Sequence, residues 1–172
     1  LADPLTHGDP AVRAELVLAL STAAGADGMV GGQMIDLEAE HQTYDIGAIT
    51  RLQRLKTGAL IAFSSEAGAI LGKAAPQARQ ALLGYAHDLG LAFQIADDLL
   101  DVEGSTEEVG KQTGKDAARG KATFVSILGV ENARAQASRL ADQAAAHLDL
   151  FGEKGDLLKD VARWVEIGRA HV

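Results

Sequence analysis

Three aspartates, Asp97, Asp98 and Asp101, sit in Phe93-Gln94-Ile95-Ala96-Asp97-Asp98-Leu99-Leu100-Asp101, one of the most apolar stretches of the sequence. On a helix, Asp97 and Asp101 fall one turn apart on one face. Carboxylates so placed share a target or repel, and an unpaired one in apolar surroundings costs several kcal/mol. Hard carboxylate oxygens suit magnesium, which takes one or two of them, keeps waters and fills its octahedron with phosphate oxygens from a substrate. The trio therefore reads as a helix-borne magnesium site that grips a diphosphate group. A solvated acidic face accounts for the helix taken alone, because acidic pairs at this spacing are common on surfaces. The segment that follows tips the balance, since Lys111, Lys115 and Lys121 are interspersed with Gly110, Gly114 and Gly120. Lysine brings three donors on a point charge, and glycine lets backbone close over an anion, so Gly104 to Gly120 reads as a mobile cationic flap.

The elements that must position these residues are helical. Asp9-Pro10 has the form of an N-cap followed by proline at the first helical position, and Val12, Leu16, Leu20 and Ala23 keep one apolar face until Gly25. A second helix is expected to begin near Asp27. Asp45 caps a long segment in which Ile46, Ile49, Leu52, Leu55, Leu60, Phe63 and Ile70 recur at helical spacing, interrupted at Lys56-Thr57-Gly58. Pro76 opens a helix reaching at least Asp101, Lys121 to Leu150 returns to a helical pattern, Gly152 to Gly155 makes a turn, and a last amphipathic helix carries Leu157, Val161, Trp164 and Val165 to a basic end at Arg169 and His171. No alternating run is long enough for a strand. The expectation is one all-α domain over 1–172, an antiparallel bundle of about six helices.

Composition narrows the partners. The 172 residues carry 24 acidic against 16 basic side chains, a net charge of −8, which argues against general affinity for nucleic acid or acidic membrane surfaces. Any phosphate must be met locally. Without cysteine there is neither a disulfide nor a thiolate metal site, and the cytoplasm is the expected compartment. The most apolar stretch, Gly58 to Gly72, contains Glu66 and is too short to span a bilayer, so no membrane span is expected.

Four motifs in order resemble the trans-prenyl diphosphate synthases, the family of farnesyl and geranylgeranyl diphosphate synthases. Phe93-Gln94 with Asp97-Asp98-x-x-Asp101 resembles the family's second aspartate-rich motif, and Gly110-Lys111 with Gly120-Lys121-Ala122-Thr123 its lysine-bearing loop. Gly31-Gly32-Gln33-x-x-Asp36-Leu37 is similar to its glycine-glutamine-aspartate helix, and Lys56-Thr57-Gly58 to its lysine-threonine break. The resemblance implies the isoprenoid synthase fold and condensation of an allylic diphosphate, dimethylallyl or geranyl, with isopentenyl diphosphate. The expected product is farnesyl diphosphate; a geranylgeranyl synthase or a non-catalytic partner subunit of a synthase is the alternative. It further implies that Asp97 binds Mg2+ directly while Asp98 and Asp101 act largely through its waters. Lys56, Lys111 and Lys121 then bind the diphosphate, and Thr57, Gln94 and the Lys56 carbonyl turn their dipoles toward the developing carbocation. Gln33 and Asp36 support Lys56, unless they are simply a polar helix face. Gly58 after Thr57 marks a distorted helix, or else a close packing contact. A homodimer is expected.

The family's first aspartate-rich motif and its isopentenyl diphosphate residues have no counterpart here. The chain is therefore expected to be the carboxy-terminal part of a longer synthase, its N-terminal helices missing, and to have no condensation activity alone.

Overall fold

The computed structural model describes residues 1–38, 44–103 and 122–167. The predicted flap, with Lys111 and Lys121, and the basic end lie outside them. Every described element is helical, as expected. Helix α1, Pro10–Ala24, opens with Asp9 accepting from the Ala11 amide at 2.9 Å. Helix α2, Met29–Glu38, starts two residues later than its sequence cue, because Gly28 N–H bonds the Gly25 carbonyl at 3.1 Å and closes a turn first. Asp45 accepts from Ala48 N–H at 2.8 Å to cap α3, Ile46–Gln53. The chain then passes through a π-helical turn, Arg54–Gly58, directly into α4, Ala59–Leu71. The long α5, Pro76–Glu103, follows.

Beyond residue 121 the helical reading needs correction. A short α6, Phe124–Leu128, ends at Gly129, and α7 runs from Val130 to His147. Gly129 has φ 77°, a left-handed backbone that favours glycine and separates the two helices. Helix α6 is opened by a reciprocal cap: Thr123 Oγ1 accepts from Ser126 N–H at 3.1 Å, and Ser126 Oγ accepts from Thr123 N–H at 2.8 Å. A serine in place of the usual Glu or Gln hid this cap in the sequence. A 3-10 segment, Asp149–Gly155, turns at Gly152 into α8, Asp156–Ile167.

Two seams organise the packing. Helix α7 lies antiparallel to α5: Arg134 near its start bonds Glu103 at the end of α5, whereas His147 at its end sits 3.0 Å from Asp88. Alanines 133, 137 and 144 on α7 let it approach Tyr85, Ala92, Ile95 and Leu99 of α5 closely, forming the main core. The Tyr85 hydroxyl donates to the Leu158 carbonyl at 2.9 Å and ties α8 to this seam; burial pushes its pKa up to about 12. Helix α8 turns Ala162 and Val165 inward, leaving Leu157 and Trp164 exposed. In the second seam α1 runs antiparallel to α4, with Val12 and Leu16 packed on Ile70 and Lys73 bonded to Asp9 at 2.8 Å.

Candidate functional site

The interruption at Lys56-Thr57-Gly58 proves to be the π-helical turn. A π turn inserts an extra residue into the α ladder, so a main-chain carbonyl there loses its usual partner four residues on. Its packing is tight on two sides. A Cβ on Gly90 of α5 would stand 3.4 Å from Gly58 Cα, so the turn lies in close contact with α5 at that glycine. A Cβ on Gly58 itself would meet only its own turn, Gln53 O at 3.5 Å and Arg54 Cβ at 4.0 Å, so Gly58 marks the distortion and not a packing contact. On the other side, a Cβ on Gly32 of α2 would fall 2.2 Å from Lys56 N and 2.6 Å from Lys56 Cα. Only a glycine permits that backbone contact.

These contacts frame a cavity of about 400 Å³. Lys56 and Thr57 line it from the turn, Phe93, Gln94, Asp97 and Asp98 from α5, and Asp36 from α2. Tyr44, Ile49, Leu52 and Gln53 complete one wall, and Ala122 and Thr123 another. Five predicted residues, Lys56, Thr57, Gln94, Asp97 and Asp98, therefore meet at one space although 41 positions of sequence separate Lys56 from Asp97. Asp101 lies one turn beyond Asp97, half-buried and off the cavity wall. Lys111 and Lys121 fall outside the described residues.

Within the cavity the groups are held. The Lys56 ammonium donates to Asp36 Oδ2 at 2.7 Å, with Asp36 the more buried partner. Asp36 thus supports Lys56 as expected, while Gln33 on the same helix is exposed. Asp98 is 5% exposed, and its Oδ2 accepts from Phe124 N–H at 2.9 Å. That amide opens α6, so the Asp98 carboxylate satisfies one of the donors a helix start leaves over. Sequence reasoning missed this bond, and although it named Gly32 it missed that residue's contact with Lys56, because each joins segments far apart in the chain.

Among the described residues no three His, Asp or Glu side chains are grouped closely enough to cage a metal. The donor chemistry nonetheless fits magnesium bound together with a phosphate ligand, which needs only one or two carboxylates. Asp97 and Asp98 on the wall and Asp101 one turn away are the side chains that would hold it. Opposite them stands the Lys56 ammonium, and Ile49, Leu52 and Phe93 give the same space an apolar side. The arrangement suits a ligand with a polyanionic head and an apolar tail.

The model of the family described as polyprenyl synthetase matches residues 11–159. A farnesyl diphosphate synthase of Geobacillus stearothermophilus is 40% identical over 139 residues, covering 81% of this chain and 47% of that protein. The crystal structure of an FPP/GFPP synthase from Zymomonas mobilis superimposes with a TM-score of 0.84 at 52% identity, over 95% of this chain and 54% of that one. A Helicobacter pylori geranyltransferase complexed with magnesium and isoprenyl diphosphate does so with a TM-score of 0.77 at 30% identity, over 91% and 52%. The chain spans about half the length of the relatives it matches.

Proposed function

The chain belongs to the polyprenyl synthetase family, and on that premise we propose that it supplies the metal and diphosphate half of a magnesium-dependent trans-prenyltransferase of the farnesyl diphosphate synthase type. The reaction condenses dimethylallyl or geranyl diphosphate with isopentenyl diphosphate. The observation that carries this reading is the π-helical turn, which faces Lys56 and Thr57 toward Gln94 and Asp97 across one cavity.

Each side chain then has a task. Asp97 offers a carboxylate oxygen for magnesium, with Asp98 and Asp101 acting largely through its waters, and the ion when bound neutralises the charge gathering on the departing diphosphate. The Lys56 ammonium, oriented by Asp36, donates to the same diphosphate, and Lys111 and Lys121 are assigned to it as further donors. The Thr57 hydroxyl oxygen and the Gln94 carbonyl oxygen set negative dipole ends toward the allylic carbon as its bond to oxygen breaks and the electron pair leaves with the diphosphate. The double bond of isopentenyl diphosphate supplies the new bonding pair, and a proton is lost to restore an alkene. Ile49, Leu52 and Phe93 keep water from the electron-poor carbon. The assignment includes a single all-α domain, a homodimer and a cytoplasmic location.

Steady-state kinetics of the intact synthase test it. Lys56→Ala removes a charge-assisted contact worth about 1.5–3 kcal/mol and is expected to lower kcat/KM by roughly 10- to 100-fold. Asp36→Ala, which only frees Lys56 to wander, is expected to cost less. Unchanged kcat/KM in Lys56→Ala would refute the assignment.

A further inference from the structure

Behind the π-helical turn lies a second cavity, about 640 Å³, whose lining includes Arg51, Arg54, Leu55, Gly58, Asp27 and His87. Its arginines stand apart from the others among the described residues. Arg13 bonds the His7 carbonyl, Arg79 bonds Glu15, Arg134 Glu103, Arg139 Gln136 and Arg163 Asp160. Arg51 and Arg54 have no such partner among the described residues, in a chain whose net charge is −8. They sit three positions apart on one helical face, where like charges repel. Among the described residues Asp27 is the one carboxylate on this wall, and Asp88, next to His87, is occupied by His147. Partial burial and the Arg54 charge push the His87 pKa down, against a smaller opposing pull from Asp88, so near neutral pH the two guanidinium groups dominate the potential.

We propose that this cavity is a second anion site, in which Arg51 and Arg54 take a diphosphate group without metal. Planar guanidinium forks match phosphoryl oxygens in bidentate fashion, and two of them one turn apart suit two linked phosphoryl groups better than one. An anion between them also relieves their mutual repulsion. The site is coupled to the first by construction. Leu55 and Gly58 line the second cavity, Lys56 and Thr57 between them line the first, and the π-helical turn is the wall the two cavities share. An anion held on Arg54 therefore biases the backbone that presents Lys56, making the site regulatory.

Titration calorimetry of inorganic diphosphate into this chain in EDTA tests the proposal, and its metal-free condition separates its failure from failure of the magnesium-dependent reading above. The expected result is binding that weakens at least roughly tenfold in Arg51→Gln/Arg54→Gln, as loss of charge-assisted contacts requires, and much less in Lys56→Gln. Both arginines are exposed, so the double variant should keep the helical circular dichroism of the parent. Amide resonances of Lys56 and Thr57 should shift on titration in the parent and not in the double variant. Absence of metal-free binding, binding indifferent to the arginines, or orthophosphate binding as tightly as diphosphate would each overturn it.

Discussion

Gly32→Ala is expected to lower stability by about 1–3 kcal/mol, the usual cost of forcing atoms into a packed site, and to abolish magnesium-dependent diphosphate binding with it. The new methyl group would meet main-chain atoms on every near side: Lys56 N at 2.2 Å, Lys56 Cα at 2.6 Å and Leu55 C at 2.8 Å. No rotamer change relieves a clash with backbone, so α2 and the π-helical turn must separate. Separation breaks the Asp36 to Lys56 bond and carries Lys56 off the cavity wall. For a chain of this size the loss corresponds to a fall in Tm of roughly 3–10 °C. Gly68→Ala provides the control: its Cβ meets nothing within 4 Å, and alanine in the interior of α4 should stabilise by about 0.5–1 kcal/mol. Thermal melts with and without a bisphosphonate and magnesium check both, and a Gly32→Ala protein that melts and binds like the parent would refute the contact.

Asp98 yields the second large effect, through a contrast between two substitutions. Asp98→Ala leaves the Phe124 amide without its acceptor in a buried place, at a cost of about 1–3 kcal/mol. Asp98→Asn keeps a side-chain oxygen where the carboxylate oxygen was and removes the charge. If Asp98 works mainly by fixing the start of α6, and so the Ala122–Thr123 wall, the asparagine variant should retain most stability and most magnesium-dependent binding. A carboxylate that served as an essential metal ligand would fail alike in both variants. Hydrogen exchange at the Phe124 amide gives the direct readout: faster in Asp98→Ala, close to the parent in Asp98→Asn. Slow exchange in the alanine variant would contradict the anchoring role.

Much of this was legible before any coordinates. The 3.6-residue periodicity, the Asp9 and Asp45 caps and the glycine after Thr57 fix the helices and locate the distorted turn, because those signals are local in the chain. The convergence of Lys56, Thr57, Gln94 and Asp97 followed from motif resemblance, not from spacing. What stayed hidden is either long-range or unusual in type. The meeting of Gly32 with Lys56 spans 24 positions, and the bond from Phe124 to Asp98 spans 26. The helical pattern read from Lys121 to Leu150 holds two helices, because Gly129 takes a positive φ that apolar patterning does not register. Likewise, the periodicity of α8 marks an amphipathic helix without telling which apolar residues face the core, and Leu157 and Trp164 do not.

Asp97 and Lys56 line one cavity from different helices, and the proposed function requires that cavity to take a diphosphate together with magnesium. Isothermal calorimetry of methylenediphosphonate with this chain, in EDTA and then in excess magnesium, tests that requirement most directly. Magnesium is expected to tighten binding in the parent, and Asp97→Asn to erase the gain while leaving the metal-free affinity in place. Equal gains from magnesium in the parent and in Asp97→Asn would contradict it.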